Sequence, residues 1–192
     1  MKTVFFDVDT QFDFMTAAGA LAVPGAGKLI PVVSALNKWA WEHSLVVVST
    51  TDAHAEHDPE FRIWPPHCVA GTWGQAKPAS TLHGGRVTVP NNGGVPIPDA
   101  PQYLLEKQTN DCFTNVNLPA LLDRLRAERY VVYGVVTEYC VKCALDGLLA
   151  TGKQVEVVTD AIETLNPEDS ERTLQEFVAA GGRLIGTAEV LG

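Results

Sequence analysis

Residues 130–143 have the sequence YVVYGVVTEYCVKC, in which β-branched and aromatic residues lead to a cysteine. The run from Tyr130 to Val136 predicts a buried strand followed by a turn into a helix. Cys140 would then lie near a helix N-terminus, where backbone N–H groups stabilise a thiolate or an oxyanion on a substrate carbonyl. A cysteine in an apolar run can equally be a small hydrophobic core residue. This stretch alone therefore leaves both interpretations open.

Two other apolar segments end in residues that can take part in catalysis. Residues 3–6 are typical of a buried strand and lead to acidic residues that include Asp9, and the short segment Tyr103–Glu106 leads to Lys107. The carboxyl ends of parallel strands lie at one edge of a sheet, so an acid, a lysine and a thiol would converge there. Taken singly, Asp9 can be a turn cap and Lys107 a solvated surface charge.

Together these segments resemble the signature segments of the isochorismatase-like cysteine hydrolases. The resemblance rests on Val8–Phe14, Lys107 and Gly134–Val141. Two further segments, Asp52–His54 and Trp64–Cys68, are similar to the metal-binding segment of the nicotinamidase branch. The likeness extends from about Val4 to about Thr159 with the motifs in family order, and separated motifs of this kind rarely coincide by chance.

The resemblance implies a role for each candidate residue. Cys140 is the expected nucleophile, Asp9 the general base and Lys107 the third catalytic residue. Cys140 would attack an amide carbonyl and form a thioester that water then hydrolyses. The backbone N–H groups of Val136 and Cys140 would hold the oxyanion. The peptide bond between Val135 and Val136 is expected to be cis, as in the family.

A cluster of histidines and carboxylates predicts a metal site. The resemblance implies one divalent ion, with zinc as the first choice and manganese or iron as alternatives, because this mixture of ligands suits all three. Where a histidine is often found in nicotinamidases, this chain has Glu60, and His57 is the alternative fourth ligand. In the resembling enzymes the metal binds the pyridine nitrogen and orients the substrate. The expected ligands are Asp52, His54, Glu60 and His67.

Three aromatic residues are candidates for the walls of the substrate pocket. Phe14 and Trp64 match family positions that enclose the substrate ring, and a flat heteroaromatic substrate requires such apolar faces. Core packing is the alternative role for Phe14. Tyr139, beside the nucleophile, occupies a position at which family members vary.

Composition limits the classes of function. A chain of 192 residues with 46% hydrophobic residues can form one domain, residues 1–192, with a sizeable core. Its net charge of −9 disfavours nucleic acid and anionic membranes as partners. The sequence has neither a membrane-spanning apolar run nor the pattern of a signal peptide, which predicts a cytoplasmic protein. Its four cysteines do not form a secreted disulfide framework, and a homo-oligomer remains open.

The pattern of elements predicts an α/β fold: a mostly parallel sheet of about six strands with helices on both faces, Rossmann-like in architecture. The expected strands are Thr3–Asp7, Leu45–Thr50, Tyr103–Glu106, Tyr130–Val136, Val155–Thr159 and Arg183–Gly186. The expected helices are Lys28–Glu42, Leu118–Ala127, Tyr139–Ala150 and Glu168–Ala179. Residues 51–102 hold eight of the twelve prolines and are expected to form a long functional loop region.

These features predict a metal-containing cysteine amidohydrolase, with nicotinamide and water converted to nicotinate and ammonia as the first choice. Another small amide or carbamoyl compound is the alternative substrate. Residues 5–10 also resemble the nucleophile segment of haloacid-dehalogenase-type phosphatases, and Cys140 and Cys143 have the spacing of a redox motif. A catalytically silent binding module on the same fold is the remaining alternative.

Overall fold

The computed structural model describes residues 1–94 and 96–192. Its centre is a seven-stranded sheet in the order β3-β4-β2-β1-β5-β6-β7. The six pairings between neighbouring strands are all parallel. The strands are β1 Thr3–Val8, β2 Val46–Asp52, β3 Val87–Val89, β4 Gln102–Lys107, β5 Arg129–Gly134, β6 Gln154–Ile162 and β7 Arg183–Ile185.

Helices cover both faces of this sheet. Apolar side chains of α2 and α6 pack on one face, and those of α3, α4 and α5 pack on the other, so the core has two layers divided by the sheet. Within the described ranges no helix is both long and apolar enough to cross a membrane. The helices are α1 Phe12–Met15, α2 Leu29–Glu42, α3 Leu118–Leu125, α4 Lys142–Ala150, α5 Pro167–Ala179 and α6 Thr187–Leu191.

The predicted α/β class, parallel sheet and two helical layers are confirmed, and the sheet has seven strands where about six were predicted. The additional strand, β3, has only three residues and lies in the proline-rich region, where its pattern is too short to be recognised. The predicted third helix, Leu118–Ala127, ends earlier, at Leu125, because Arg126 adopts a left-handed conformation with φ of 49°.

The predicted strand Tyr130–Val136 is two residues too long at its carboxyl end. β5 ends at Gly134, which has φ of 122° and approaches β1 so closely that an added Cβ would lie 2.0 Å from the carbonyl oxygen of Val8. Only glycine satisfies both conditions. The apolar residues that follow Gly134 belong to the turn, so β-propensity alone overextends the strand.

The sheet brings the ends of four neighbouring strands to one edge. Asp9 directly follows β1, Asp52 is the last residue of β2, and Lys107 is the last residue of β4. Asp52 and Lys107 are register partners, and Val8 is a partner of Gly134 at the end of β5. In open α/β sheets this carboxyl edge is where ligands bind.

A buried ion pair ties the proline-rich region to β1. Lys77 Nζ lies 3.1 Å from Asp7 Oδ2, and both side chains are almost completely buried. The same carboxylate accepts hydrogen bonds from Thr10, Asn37 and Ser49, at 2.8, 3.1 and 3.1 Å. Because the negative charge is satisfied in this way, the pair forms a fixed anchor next to the segment that leads to Asp9.

We expect Lys77→Ala to lower the free energy of unfolding by about 3–5 kcal/mol, because it leaves the Asp7 carboxylate buried without its cation. Lys38→Ala is the matched control, since Lys38 forms only an exposed pair with Glu42 at 3.7 Å. That control should cost less than about 0.5 kcal/mol. Urea unfolding followed by circular dichroism measures both values, and equal small effects would contradict the anchoring role.

Candidate active site

The candidate nucleophile lies in a tight turn between β5 and α4. The peptide bond between Val135 and Val136 is cis, at the predicted position, and residues Thr137–Val141 form a single π-helical turn that carries Cys140. The carbonyl oxygen of Val136 accepts hydrogen bonds from the N–H groups of Tyr139 and Val141, at 3.0 and 3.1 Å. Within residues 1–94 and 96–192 the N–H of Val136 itself donates to no protein acceptor. It is therefore available to a ligand, and its role in an oxyanion hole stays a prediction.

Lys107 joins the other candidate residues to this cysteine. Its Nζ lies 2.8 Å from Asp9 Oδ2 and 3.6 Å from Cys140 Sγ, and it also pairs with Asp52 Oδ1. Lys107 and Asp9 are each about 1% exposed. The structure thus brings the three predicted catalytic side chains together in a largely buried site.

Asp9 is held in place by β2. Its backbone has φ of 49°, and its N–H donates to the carbonyl oxygen of Thr50 at 3.2 Å. The hydroxyl of Thr50 donates to Asp9 Oδ1 at 2.6 Å. With Oδ1 bound to Thr50 and Oδ2 beside Lys107, the carboxylate has a fixed orientation.

Burial and charge act in opposite directions on the site. Burial raises the pKa of the Cys140 thiol well above its ordinary value, although the neighbouring Lys107 ammonium favours the thiolate. Burial also raises the pKa of Asp9, against the effect of Lys107. For Lys107 burial lowers the pKa, but the Asp52 and Asp9 carboxylates more than offset this and raise it well above its usual range. Asp9 is therefore a stronger proton acceptor than an exposed aspartate.

Three of the predicted metal ligands form one cluster beside Lys107. Ligand atoms of Asp52, His54 and His67 all lie within 4.8 Å of one another. Asp52 Oδ2 is 3.7 Å from His54 Nε2 and 3.5 Å from His67 Nε2. Burial raises the pKa of Asp52, but Lys107 and then the two histidines lower it below its usual range overall. Asp52 is thus an anionic ligand under all ordinary conditions.

The chemistry of this cluster fits a divalent cation. His54 is completely buried, with Nδ1 3.2 Å from Asp58 Oδ2 and Nε2 3.7 Å from Asp52 Oδ2, and within the described residues neither nitrogen has the geometry of a hydrogen bond. A buried imidazole without hydrogen bonds is costly unless something else binds it, and two imidazoles with a carboxylate are suitable ligands for zinc, manganese or iron. His67 Nδ1 lies 2.8 Å from the carbonyl oxygen of Pro65, which leaves Nε2 free to bind an ion.

The fourth predicted ligand, Glu60, lies on the same side of the cavity. It forms a second group of potential ligands with His54 and Asp58, and it lines the cavity with Asp52 and His67. Burial and then the Asp52 charge raise the pKa of Glu60. His57, the alternative, is exposed and belongs to neither group among the described residues. The geometry therefore favours Glu60.

The predicted pocket residues Phe14, Trp64 and Tyr139 line one cavity with Cys140 and with Asp52, Glu60 and His67. The rings of Trp64 and Tyr139 meet edge to face with centroids 5.2 Å apart. The cavity measures about 20 Å³ in this structure, well below the roughly 300–1,000 Å³ of typical small-molecule sites. Three lining residues escaped the sequence analysis, namely Leu21, Asn110 and Leu165.

Two polar residues that support the site were also missed. Gln11 is completely buried, and its side chain accepts from the N–H of Asp52 at 2.7 Å and donates to the carbonyl oxygen of Asp52 at 2.8 Å. Glu138 accepts from the N–H groups of Leu165 and Asn166 at 2.9 and 2.8 Å, which holds the Leu165 wall next to the nucleophile turn. Gln11 gave a signal, because it lies in the segment Val8–Phe14 that carries the family resemblance, whereas Leu165 gave none.

Comparison with known proteins finds relatives in both sequence and fold. The sequence profile described as "Isochorismatase domain" matches residues 96–189. Nicotinamidase of Escherichia coli (strain K12) is 28% identical over 204 residues, covering 95% of this chain and 93% of that protein. The pyrazinamidase of Pyrococcus horikoshii, solved in complex with zinc, has a TM-score of 0.81 and 28% identity, covering 97% of this chain and 99% of that one. The N-carbamoylsarcosine amidase from Thermoplasma acidophilum has a TM-score of 0.80 and 25% identity, covering 100% of both chains.

The domain match over residues 96–189 and the similarity to nicotinamidases over nearly the whole chain support the predicted isochorismatase-like family and its nicotinamidase branch. The class of enzyme that these homologues indicate is that of the amidohydrolases.

The four cysteines should differ in reactivity. Cys68 and Cys112 are almost completely buried, whereas Cys143 is half-buried and Cys140 lines the cavity. Because the reagent must reach the sulfur, iodoacetamide should modify Cys143 and Cys140 long before Cys68 or Cys112 in the folded protein. In urea all four should react. Peptide mass spectrometry over time measures this order, and early labelling of Cys68 in the folded protein would contradict it.

Proposed function

We propose that this chain is a metal-containing cysteine amidohydrolase that converts nicotinamide and water to nicotinate and ammonia. The observation that carries this proposal is the contact of Lys107 with Asp9, Asp52 and Cys140, because it joins a nucleophile and a base to the metal cluster. The names of the nicotinamidase and pyrazinamidase relatives support the choice of substrate. The substrate is a small molecule, and the cytoplasmic location remains a prediction from the sequence.

The first half of the reaction forms a thioester. The Cys140 proton passes to Asp9, the Sγ–carbon bond forms, and the carbonyl electrons move onto an oxygen held by the N–H groups of Val136 and Cys140. When this tetrahedral species collapses, the carbon–nitrogen bond breaks and Asp9 returns the proton to the departing nitrogen, which leaves as ammonia. Lys107 remains protonated throughout and favours each anionic species that forms beside it.

The second half hydrolyses the thioester. Asp9 takes a proton from water as the new carbon–oxygen bond forms, and collapse of this species breaks the carbon–sulfur bond and releases the acid. The proton then returns to Cys140 Sγ, which restores the starting state. Asp52, His54, Glu60 and His67 would hold one divalent ion, with zinc as the first choice. Held by these residues, such an ion would supply a Lewis acid able to bind a ring nitrogen and so orient the substrate.

The alternative substrate is another small amide or a carbamoyl compound, which the similarity to an N-carbamoylsarcosine amidase keeps open. The phosphatase alternative is disfavoured because the first aspartate of its motif, Asp7, is completely buried and bound by core side chains. In the redox alternative Cys143 would take part in the chemistry, but it is not among the residues that line the cavity.

Replacement of the nucleophile tests the reaction class. Cys140→Ala should lower kcat for ammonia release by about 10⁴-fold or more while the protein remains folded, because the thioester cannot form. Cys143→Ala is the matched control, a substitution of the same type one helical turn away, and it should retain most of the activity. A coupled ammonia assay with circular dichroism measures both. Loss of activity in Cys143→Ala alone would favour redox chemistry.

The metal cluster is tested by occupancy and by substrate choice. Glu60→Gln should lower bound metal several-fold, whereas the matched His57→Gln should leave metal content unchanged, since His57 is exposed. Elemental analysis of both variants measures this directly. The metal-loaded enzyme should also prefer nicotinamide over benzamide, which has no ring nitrogen, by about 10²-fold or more in kcat/KM. Equal turnover of the two amides would refute the nicotinamidase assignment and leave the amidohydrolase class intact.

A further inference from the structure

Asn110 places a neutral amide beside the nucleophile. Its Oδ1 lies 3.7 Å from Cys140 Sγ, and its side chain lines the cavity with Cys140 and Val136. A thiol is a weak hydrogen-bond donor, so this contact leaves the acceptor capacity of Oδ1 largely unused. Asn110 therefore presents an available polar group at the point where a substrate carbonyl would meet the thiol.

The backbone around Asn110 is fixed on both sides. The carbonyl oxygen of Thr109 accepts from Lys107 Nζ at 3.0 Å. On the other side Asp111 caps a short 3₁₀ turn, Cys112–Thr114, by accepting from the N–H of Phe113 at 2.8 Å. Because both neighbours are held, the Asn110 side chain is positioned before any ligand arrives, which lowers the entropy lost on binding.

A primary carboxamide requires acceptors for two N–H bonds. If its oxygen lies at the N–H groups of Val136 and Cys140, its nitrogen lies on the opposite side of the attacked carbon. Asp9 accepts from Thr50 at Oδ1 at 2.6 Å and has Oδ2 2.8 Å from Lys107, and in the proposed reaction it holds the Cys140 proton that it must give to this nitrogen. In that protonated state the carboxyl group acts as a donor toward the nitrogen, so the N–H bonds require another acceptor. Asn110 Oδ1 offers that acceptor.

We propose that Asn110 is a specificity-determining residue that accepts a hydrogen bond from the carboxamide NH₂ of the substrate and so selects primary amides over esters of the same acid. This inference rests on the proposed amidase function. A site built to bind an N–H discriminates against analogues that lack it, because its own polar group then stays unpaired.

Asn110 carries no charge, and this affects the neighbouring thiol. A carboxylate at this position would provide the same acceptor, but its charge beside Sγ would disfavour the thiolate further. Burial already raises the pKa of Cys140. An uncharged amide supplies the acceptor without that cost.

The experiment compares nicotinamide with methyl nicotinate, which has the same acyl group and no N–H. Asn110→Leu removes the polar group at nearly constant size, and Asn110→Ala is a second variant in case the first does not fold. In either variant the ratio of kcat/KM for amide over ester should fall about tenfold relative to the unaltered enzyme. Leu165→Ala is the control: Leu165 lines the same cavity without a polar side chain, so both substrates should change in parallel.

Two results would overturn the proposal. An equal loss for amide and ester, with an upward shift in the pH midpoint of Cys140 alkylation, would mean that Asn110 acts on the thiolate. An equal loss without that shift would mean that it only supports the fold. If the unaltered enzyme releases ammonia from another primary amide but not from nicotinamide, the same comparison is made with that amide and the methyl ester of its acid. If it releases ammonia from no amide, the proposed function fails, and the inference fails with it.

Discussion

The charge on Lys107 is the constraint on which the rest of the site depends. A buried ammonium is very costly without counter-charges, and here Asp9 and Asp52 provide them from β1 and β2. The three residues are brought together only because β4, β2 and β1 are neighbours in that order. The order of the strands therefore places these three charged side chains together, and a different order would separate them.

Asp52 also connects the proposed catalytic group with the proposed metal site. One of its oxygens pairs with Lys107, and the other faces His54 and His67. The same carboxylate therefore belongs to the catalytic group and to the metal cluster. Gln11 fixes its backbone through two hydrogen bonds, so the position of Asp52 is set by a residue two places after Asp9. The proposed base Asp9, the proposed metal ligand Asp52 and Lys107 are in this way linked by direct contacts.

The parts of this arrangement that followed from the sequence are those with a local signal. Asp9, Lys107 and Cys140 each come after an apolar run, and the rule that parallel strands end at one edge brings them together. The short strand β3 and the end of β5 were missed or misplaced, because three residues carry little periodicity and Gly134 adopts a conformation that propensity does not encode. Asn110 and Leu165 were not recognisable for another reason. Their place at the cavity depends on tertiary contacts made by loops, which leave no pattern in the sequence.

The entirely parallel pairing of the sheet has a consequence for how the protein is made. No two neighbouring strands can be joined by a hairpin, so the two strands of every pair are separated by a long stretch of chain. The candidate site takes residues from Asp9 to Cys140, and the helix after Cys140 must pack before that turn is covered. Most of the chain must therefore emerge from the ribosome before the candidate site can form. During that interval the unpaired strands are exposed to aggregation, and such non-local topologies fold slowly.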